Sequence, residues 1–201
     1  MKQEESDKEI LVVASGNRNK LIEIESLLGG RYEIRPMRDY GIREIEENGI
    51  SFEENAAIKA RIVMEQTGLS AIADDSGLEV DALQGAPGIY SARYCGKHGD
   101  DAANNALLLQ NLMGMEKPWT ARYVAAIALA RPGKEILVRR GTCEGEILDA
   151  YRGTGGFGYD PLFLCELGKT FAEISLEEKN KISHRKRGIL SLLRSLEEEE
   201  A

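Results

Sequence analysis

The sequence contains little cysteine and no long apolar run, and each shortage excludes a class of protein. Its three cysteines, Cys95, Cys143 and Cys165, are widely spaced and form no CxxC pair, so neither a disulfide scaffold nor a zinc site is expected. No apolar run approaches the ~18–20 residues that span a membrane. Residues 1–9 are charged and lack the apolar core of a signal peptide. We therefore expect a protein of the reducing cytoplasm, with no membrane contact and a flexible N-terminal extension over residues 1–9.

Positive charge is also in deficit, since the net charge is -8. A net negative charge argues against a protein that coats nucleic acid, although a single basic pocket is still compatible with it. The hydrophobic share of 42% and the charged share of 30% are ordinary for a globular protein. The 201 residues suffice for one large domain or two closely packed lobes. Because no repeat or linker is evident, we expect one domain over residues 10–196, followed by an acidic tail over residues 197–201.

The first structured stretch predicts an anion site. Residues 10–14 are a short apolar run typical of a buried strand, and a helix is expected after the polar loop 15–20, ending at Gly29. Free backbone N–H groups and the helix dipole attract anions to such a helix start. Arg18 and Lys20 lie at this positive end, which is unfavourable unless an anion binds there. The GxxxxGK[ST] spacing of a P-loop is absent.

Two adjacent carboxylates follow another buried strand. Residues 71–73 are small and apolar, and Asp74 and Asp75 stand at the expected end of this strand, before a turn at Ser76 and Gly77. In an open α/β sheet, ligands bind at strand ends. Neighbouring side chains on an extended chain point to opposite faces, so the two acids are expected to have different roles. The alternative is a solvated turn, for which Asp, Ser and Gly are ordinary residues.

A helix with a polar face precedes the two acids. Ser51 and Glu54 form a capping box, and the helix should run to about residue 66. Asn55 and Lys59 share one face of it as i,i+4 neighbours. The acidic segment before it, residues 42–49, is expected to be a solvated loop. A later helix over residues 100–112 is expected to be purely structural.

A predicted hairpin and a glycine-rich stretch follow. Residues 120–130 and 135–140 are expected to pair as long strands, which residues 142–148 continue or join. Residues 153–161 then place four glycines around Phe157 and Tyr159. Glycine lets the backbone approach a ligand closely, and aromatic faces stack on bases at ~1–3 kcal/mol per base. The alternative is a glycine-rich hairpin with buried aromatic side chains.

A second cluster of cations lies at the start of the C-terminal helix. Lysines, arginines and His184 crowd residues 179–187, ahead of an apolar stripe, and Ser183 is the expected N-cap. Cations are unfavourable at the positive end of a helix, so their presence at two separate helix starts indicates that both bind a common polyanion. A basic surface patch is the alternative. Carboxylates for Mg²⁺, cations for phosphates and an aromatic loop for a base together predict a metal-assisted nucleotide site.

Six motifs, in order along the chain, carry a resemblance to a known family. They are SGNRNK (15–20), SFEENA (51–56), ADDSGL (73–78), GAPGIYSAR (85–93), GGFGYDP (155–161) and SHR (183–185). From about residue 11 to residue 196, the chain resembles the inosine/xanthosine triphosphate pyrophosphatases. The resemblance implies an α/β fold with a long mixed central β-sheet and flanking helices that form two lobes around an active-site cleft. It also implies a homodimer that hydrolyses ITP, dITP and XTP to the monophosphate and pyrophosphate, using Mg²⁺.

The resemblance also implies roles for individual residues. Asp75 would bind Mg²⁺ and act as general base, and Lys20 would be the main cation for the triphosphate. Glu46 would be the second metal ligand, although Glu44 and Glu47 leave this assignment open. The residues expected to bind substrate are Ser15, Gly16, Asn17, Arg18, Asn19, Lys20, Ser76, Phe157, Gly158, Tyr159, Asp160, Lys179, His184 and Arg185. The residues expected to support them are Asn55, Lys59 and Asp74.

Selectivity for the base follows from the same resemblance. Phe157 would stack on the purine, and Tyr159 and Asp160 would line its pocket. A donor such as His184 or Arg185, or a backbone N–H, would pair with the 6-keto oxygen of hypoxanthine or xanthine. Adenine has an amino group there and would leave that donor unpaired, a mismatch worth several kcal/mol.

Three other functions fit the residues less fully. They are a pyrophosphatase for modified pyrimidine triphosphates, a nucleotide-binding sensor without turnover, and an RNA binder with one basic pocket. Release of pyrophosphate from ITP in the presence of Mg²⁺ distinguishes the main prediction from these alternatives.

Overall fold

A six-stranded mixed sheet with helices on both faces forms the frame of the protein. The computed structural model describes residues 8–200, without the side chain of Glu200, so residues 1–7 of the expected N-terminal extension and residue 201 of the acidic tail lie outside it. The strands are β1 (Ile10–Val13), β2 (Glu33–Pro36), β3 (Ala71–Val80), β4 (Trp119–Ala130), β5 (Leu137–Ile147) and β6 (Phe163–Cys165). The helices are α1 (Arg18–Leu28), α2 (Phe52–Thr67), α3 (Asp101–Leu112), α4 (Leu176–Ile182) and α5 (His184–Glu200). Among the residues described, no helix combines the length and the apolar character needed to cross a membrane.

The sheet has the order β2-β1-β3-β4-β5-β6. β1 is parallel to both of its neighbours, whereas β3, β4, β5 and β6 pair antiparallel in succession. β1 meets β3 only where Val12 lies opposite Ala71 and Val13 opposite Ile72. Beyond that point no other strand of residues 8–200 pairs with β3 on this side, apart from an isolated bridge between Glu79 and Pro87. The mixed central sheet with flanking helices is confirmed.

The predicted hairpin is present as β4 and β5, and the stretch expected to continue or join it is the second half of β5. These strands are long enough for their two ends to pack against different sets of helices and strands. Toward the end of β4, one face of the sheet packs on α2 and the other on α1 and α5. Toward its beginning, β4 packs with α3, β6 and the segment around residues 159–171. The middle of β3 therefore lies between two apolar clusters, and it is there that the acidic pair is found.

The strand carrying the acidic pair does not end at it. Asp74 lies opposite Ile127 and Asp75 opposite Ala126, and the ladder with β4 continues to Val80 without the turn expected at Ser76 and Gly77. Glycine is required at position 77 for packing rather than for a turn. A Cβ there would lie 2.4 Å from Ser91 Oγ, in the 3₁₀ segment that crosses the strand. The small residues therefore allow a close crossing in the middle of the strand.

Both cation-rich helix starts exist, with side-chain caps. α1 begins at Arg18, inside the predicted loop, because Asn17 Oδ1 accepts hydrogen bonds from the amides of Asn19 (2.9 Å) and Lys20 (3.2 Å). α5 begins directly after Ser183, whose Oγ accepts from the Lys186 amide at 3.2 Å, as predicted. The glycine-rich stretch 153–161 contains no strand, so the alternative of a glycine-rich hairpin does not apply.

The first turn of α5 lies very close to the sheet because glycines at the contact have no side chains. A Cβ at Gly141 on β5 would lie 2.2 Å from the His184 carbonyl oxygen and 2.3 Å from the Gly188 nitrogen. Two glycines at this crossing therefore let the helix approach the strand backbone closely. As a result, His184 and Arg185 are buried beneath the sheet instead of lying on a basic surface patch.

Candidate active site

Asp74 is a fully buried acceptor for two cations from different helices. Its Oδ1 lies 2.6 Å from Lys20 Nζ and its Oδ2 lies 3.0 Å from Arg185 Nε. The Ser76 hydroxyl donates to Oδ1 at 2.9 Å. Burial alone would raise the pKa of Asp74, but the charges of Arg185 and Lys20 and their hydrogen bonds hold this pKa far below its usual range. Asp74 is therefore a permanent anion that fixes the Lys20 ammonium at the start of α1.

Asp75 faces the opposite side of the sheet and meets α2. Its Oδ1 lies 3.1 Å from Lys59 Nζ, and the Asn55 side-chain amide donates to its Oδ2 at 3.2 Å. Burial raises the pKa of Asp75, and the charges of Lys59 and Lys20 offset this only in part. A carboxylate of raised basicity is suited to accept a proton. The expectation that the two acids have different roles therefore agrees with their surroundings.

In the acidic loop before α2, Glu47 rather than Glu46 lies beside Asp75 and Lys59. Glu47 Oε1 lies 2.7 Å from Lys59 Nζ, and its Oε2 lies 3.8 Å from Arg93 Nη1. Glu46 is exposed and forms no ion pair within residues 8–200. The loop is extended here, and exposed and half-buried residues alternate along it, so adjacent glutamates face opposite ways. Glu47, one of the two alternatives to Glu46 left open by the sequence, thus lies beside Asp75 through their shared contact with Lys59.

The electrostatic state of Glu47 suits a cation ligand. Burial would raise the pKa of Glu47, but the charge and hydrogen bond of Lys59 lower it. Within the described part of the chain, no group of three or more His, Cys, Asp or Glu side chains is arranged to hold a metal by itself. Mg²⁺ is commonly bound by one or two carboxylates together with substrate phosphates. Asp75 and Glu47, joined by one ammonium group, therefore fit a magnesium–phosphate complex rather than a cage made of protein alone.

The loop before α1 is exposed and partly engaged in capping. Ser15 Oγ accepts from the Asn17 amide at 3.2 Å, while the Asn17 side chain is occupied with the amides of the first turn. Among residues 8–200, the amides of Gly16 and Arg18 have no acceptor. These two amides, together with Lys20 Nζ, are the donors that this helix start can offer to phosphate oxygens.

An alternating chain of buried charges runs from this helix start to the glycine-rich loop. In order it comprises Lys20, Asp74, Arg185, Glu23, Lys179 and Asp160. Glu23, on α1, pairs with Arg185 and lies 3.1 Å from Lys179 Nζ, which in turn lies 2.7 Å from Asp160 Oδ2. Asp160 Oδ1 also accepts from the Tyr123 hydroxyl at 3.0 Å. Three cations and three anions balance, which permits their burial.

A cleft of ≈ 200 Å³ lies at the far end of this chain, beside the glycine-rich loop. Its lining comprises Asn19, Ile22, Glu23, Gly156, Phe157, Phe171, Ile174, Leu176 and Lys179. The Phe157 ring is half-buried, and Lys179 Nζ lies 4.7 Å from its centroid. α1 borders both regions, because Lys20 reaches Asp74 while Asn19 and Glu23 line the cleft. α1 thus borders both the acidic pair of β3 and the cleft beside Phe157.

Four of the residues expected to bind the base, Tyr159, Asp160, His184 and Arg185, are buried and do not line this cleft. The Tyr159 hydroxyl donates to the Ser91 carbonyl at 2.8 Å, so Tyr159 does not line the cleft. His184 stacks on Tyr123 with ring centroids 4.9 Å apart, and burial lowers the pKa of His184 well below its usual value. Arg185 is 1% exposed and has its donors taken up by Asp74 and Glu23. The close crossing of α5 over β5 explains the burial of the last two.

Glu23 is the site residue that the sequence prediction omitted, and Glu47 was named there only as an alternative to Glu46. Glu23 is adjacent to Ile24 on the buried side of α1, and its partners Lys179 and Arg185 lie more than 150 positions away, so no local pattern could reveal them. Glu47 could have been found from the alternation of Ile45 and Glu47 with exposed neighbours in an extended segment.

Comparison with known proteins agrees with this geometry. The model of the Ham1 family matches residues 11–195. A dITP/XTP pyrophosphatase of Syntrophobacter fumaroxidans is 50% identical over 197 residues, which cover 94% of this chain and 82% of that protein. A dITP/XTP pyrophosphatase of Geobacter sulfurreducens is 50% identical over 186 residues, covering 90% and 94%.

Solved structures give the same result. The Ham1 protein of Staphylococcus aureus superposes with a TM-score of 0.84 at 40% identity, covering 95% of this chain and 100% of that one. A HAM1 protein of Coxiella burnetii superposes with a TM-score of 0.85 at 40% identity, covering 94% and 99%. The resemblance found in the six motifs is confirmed, and the chain belongs to the Ham1 family.

Proposed function

We propose that the protein hydrolyses dITP, XTP and ITP to the nucleoside monophosphate and pyrophosphate, and so removes non-standard purines from the nucleotide pool. One observation carries this proposal. The start of α1 stands between the acidic pair of β3 and a cleft lined by Phe157, in a family whose relatives are named dITP/XTP pyrophosphatases. A triphosphate lying along this helix start would place its base in the cleft.

The triphosphate is bound by positive charge at the start of α1. Lys20 Nζ, held at 2.6 Å by Asp74, contributes a fixed ammonium group, and Arg18 contributes an exposed one. The amides of Gly16 and Arg18 and the helix dipole add donors aimed at phosphate oxygens. This arrangement explains why cations are tolerated at a helix end that otherwise disfavours them.

Attack on the α-phosphorus is prepared by Asp75. Its raised pKa suits it to orient a water molecule and to take up its proton. Asn55 and Lys59 hold the two carboxylate oxygens and so fix its orientation. Asp75 and Glu47 would hold Mg²⁺, which when bound places positive charge beside the phosphates.

The cleft recognises the base through Phe157 and two kinds of donor. The Phe157 ring provides a stacking face. Lys179 Nζ and the Gly156 amide, which has no acceptor within residues 8–200, line the cleft and can donate to a 6-keto oxygen. Adenine would leave such a donor unpaired, which disfavours it by several kcal/mol. His184 and Arg185 support this wall from behind rather than contacting the base.

A homodimer in the cytoplasm, and a single two-lobed domain over residues 10–196, complete the proposal. They follow from the family resemblance and the cysteine content. Sedimentation velocity tests the dimer, since a monomer at micromolar concentration would contradict it.

The proposed activity is tested by measuring pyrophosphate and monophosphate released from dITP, XTP, ITP, dGTP, dATP and dUTP, with and without Mg²⁺. We expect kcat/KM for dITP and XTP to exceed that for dATP by at least ~10²-fold, and turnover to require the metal. Tight binding of dITP without pyrophosphate release would indicate a sensor. A preference for dUTP or its modified analogues would indicate a pyrimidine enzyme.

A further inference from the structure

Helix α3 holds both backbone groups of Gly158 in the glycine-rich loop. The Gly158 amide donates to Asp101 Oδ2 at 2.7 Å, and the Gly158 carbonyl accepts from Asn105 Nδ2 at 2.8 Å. These two side chains lie one turn apart on α3, at i and i+4. A helix that looked purely structural in the sequence therefore contacts the residue next to Phe157.

The orientation of the Asn105 side chain is fixed by its surroundings. Nδ2 also donates to the Asp101 carbonyl at 2.8 Å, so two carbonyl oxygens face the amide nitrogen. Asn105 is buried, and its Oδ1 has no partner within residues 8–200. The Asn105 amide therefore links the backbone of α3 to the Gly158 carbonyl, although its own acceptor is left unsatisfied.

The rest of the loop is tied down on its other side. Asp160 Oδ2 accepts from the Phe157 amide at 3.0 Å, and the Tyr159 hydroxyl is anchored on the Ser91 carbonyl. Phe157 is the one side chain of residues 157–160 that lines the cleft. The backbone on the C-terminal side of Phe157 is therefore held by contacts outside the cleft, through the Phe157 amide and both backbone groups of Gly158.

We propose that Asp101 and Asn105 are positioning residues for the base-binding loop. They hold Gly158 so that the Phe157 ring and the adjacent Gly156 amide keep the geometry that distinguishes a 6-keto purine from other bases. The inference rests on the proposed function for its substrate. It extends that function by assigning a selectivity role to a helix that contributes no group to the cleft. Positioning of this kind matters because small displacements of a recognition group reduce discrimination.

The test compares four variants with the wild-type enzyme. Asn105→Asp is nearly isosteric but places an oxygen against two carbonyl oxygens, and Asp101→Ala removes the acceptor of the Gly158 amide. Asp101→Asn keeps an acceptor and should restore the wild-type behaviour. Asn104→Ala is the matched control, because Asn104 is the adjacent buried asparagine of α3 and accepts from the Cys95 amide instead.

We expect Asn105→Asp and Asp101→Ala to raise KM for dITP and to lower the ratio of kcat/KM for dITP to that for dATP by about threefold to tenfold, the effect of one lost hydrogen bond. The value of kcat for dITP should change less. Asp101→Asn and Asn104→Ala should retain the wild-type ratio. If Asn104→Ala shifts the ratio as much as Asn105→Asp does, the role of the pair is merely structural and the inference fails.

Amide hydrogen exchange of the nucleotide-free protein provides a readout independent of activity. The Gly158 amide should exchange several-fold faster in Asp101→Ala than in the wild-type protein, and at the wild-type rate in Asn104→Ala. Unchanged exchange in Asp101→Ala would overturn the inference. A wild-type enzyme that released no pyrophosphate from dITP would contradict the proposed function, while the exchange rates would still decide whether α3 holds the loop.

Discussion

Asp74 and Asp75 are consecutive on β3, yet they bind lysines from opposite faces of the sheet, Lys20 at 2.6 Å and Lys59 at 3.1 Å. Burial is the first influence on both carboxyl groups, but the neighbouring charges decide the outcome. Two cations overcome burial at Asp74 and lower its pKa, whereas at Asp75 burial prevails and raises it. One strand thus presents an invariably charged anchor and a carboxylate of higher basicity, side by side.

The Asp75→Asn variant should lose turnover and keep its fold. The substitution removes the proton acceptor and one proposed magnesium ligand while retaining the shape of the side chain. We expect kcat for dITP to fall by at least ~10²-fold, the usual loss when a general base is removed. Circular dichroism and the urea midpoint should stay close to those of the wild-type protein. A rate near that of the wild type would exclude Asp75 as the base.

The Asp74→Asn variant should instead lose stability. It leaves the buried Arg185 guanidinium and the Lys20 ammonium without their shared anion, and breaking a buried ion pair from one side costs about 3–5 kcal/mol. Urea unfolding measures the loss. Asp81→Asn is the control, since Asp81 forms its ion pair with Arg122 at the surface, where such pairs contribute at most about 1 kcal/mol. Equal losses in the two variants would contradict the anchoring role of Asp74.

Glu47→Gln and Glu46→Gln form a matched pair within one loop. Glu47 contacts Lys59 beside Asp75, whereas Glu46 points to solvent. We expect Glu47→Gln to raise the Mg²⁺ concentration needed for half-maximal turnover by about tenfold or more, since a charged ligand is lost. Glu46→Gln should titrate like the wild-type enzyme. The reverse result would restore the assignment made from the sequence.

These cases show which features a sequence can predict and which depend on the fold. Patterns within a few residues identified the strand before α1, the cap at Ser183 and the β4–β5 hairpin, because backbone geometry and capping are local. The two adjacent carboxylates, and their position on a strand, were also evident from residue types. What could not be read was the partner of each group, since Glu23 and Arg185 meet across 162 positions of sequence.

Burial was the second feature hidden from the sequence. Tyr159 and His184 are polar-tipped aromatic residues inside binding motifs, and nothing local indicates that their tips point inward. Only the close crossing of α5 over Gly141 and the packing of the 3₁₀ segment around Ser91 put them in the core. Tertiary packing therefore decides which of the motif residues face the cleft.

The buried state of His184 predicts a pH dependence of stability that one variant should remove. Burial is the main cause that lowers the pKa of His184 well below 6.5 in the folded protein, so this side chain stays neutral there while it gains a proton in the unfolded chain. A depressed folded-state pKa means that stability is fully present above pH 6.5 and falls as the pH drops below it, by ~1.4 kcal/mol per pH unit for one proton. Urea unfolding between pH 5.5 and 7.5 should show this slope in the wild-type protein and a smaller slope in His184→Gln. His98→Gln, which alters the exposed second histidine of the chain, should keep the wild-type slope. If His184→Gln retains the full slope, another group takes up the proton and His184 is not held neutral by its burial.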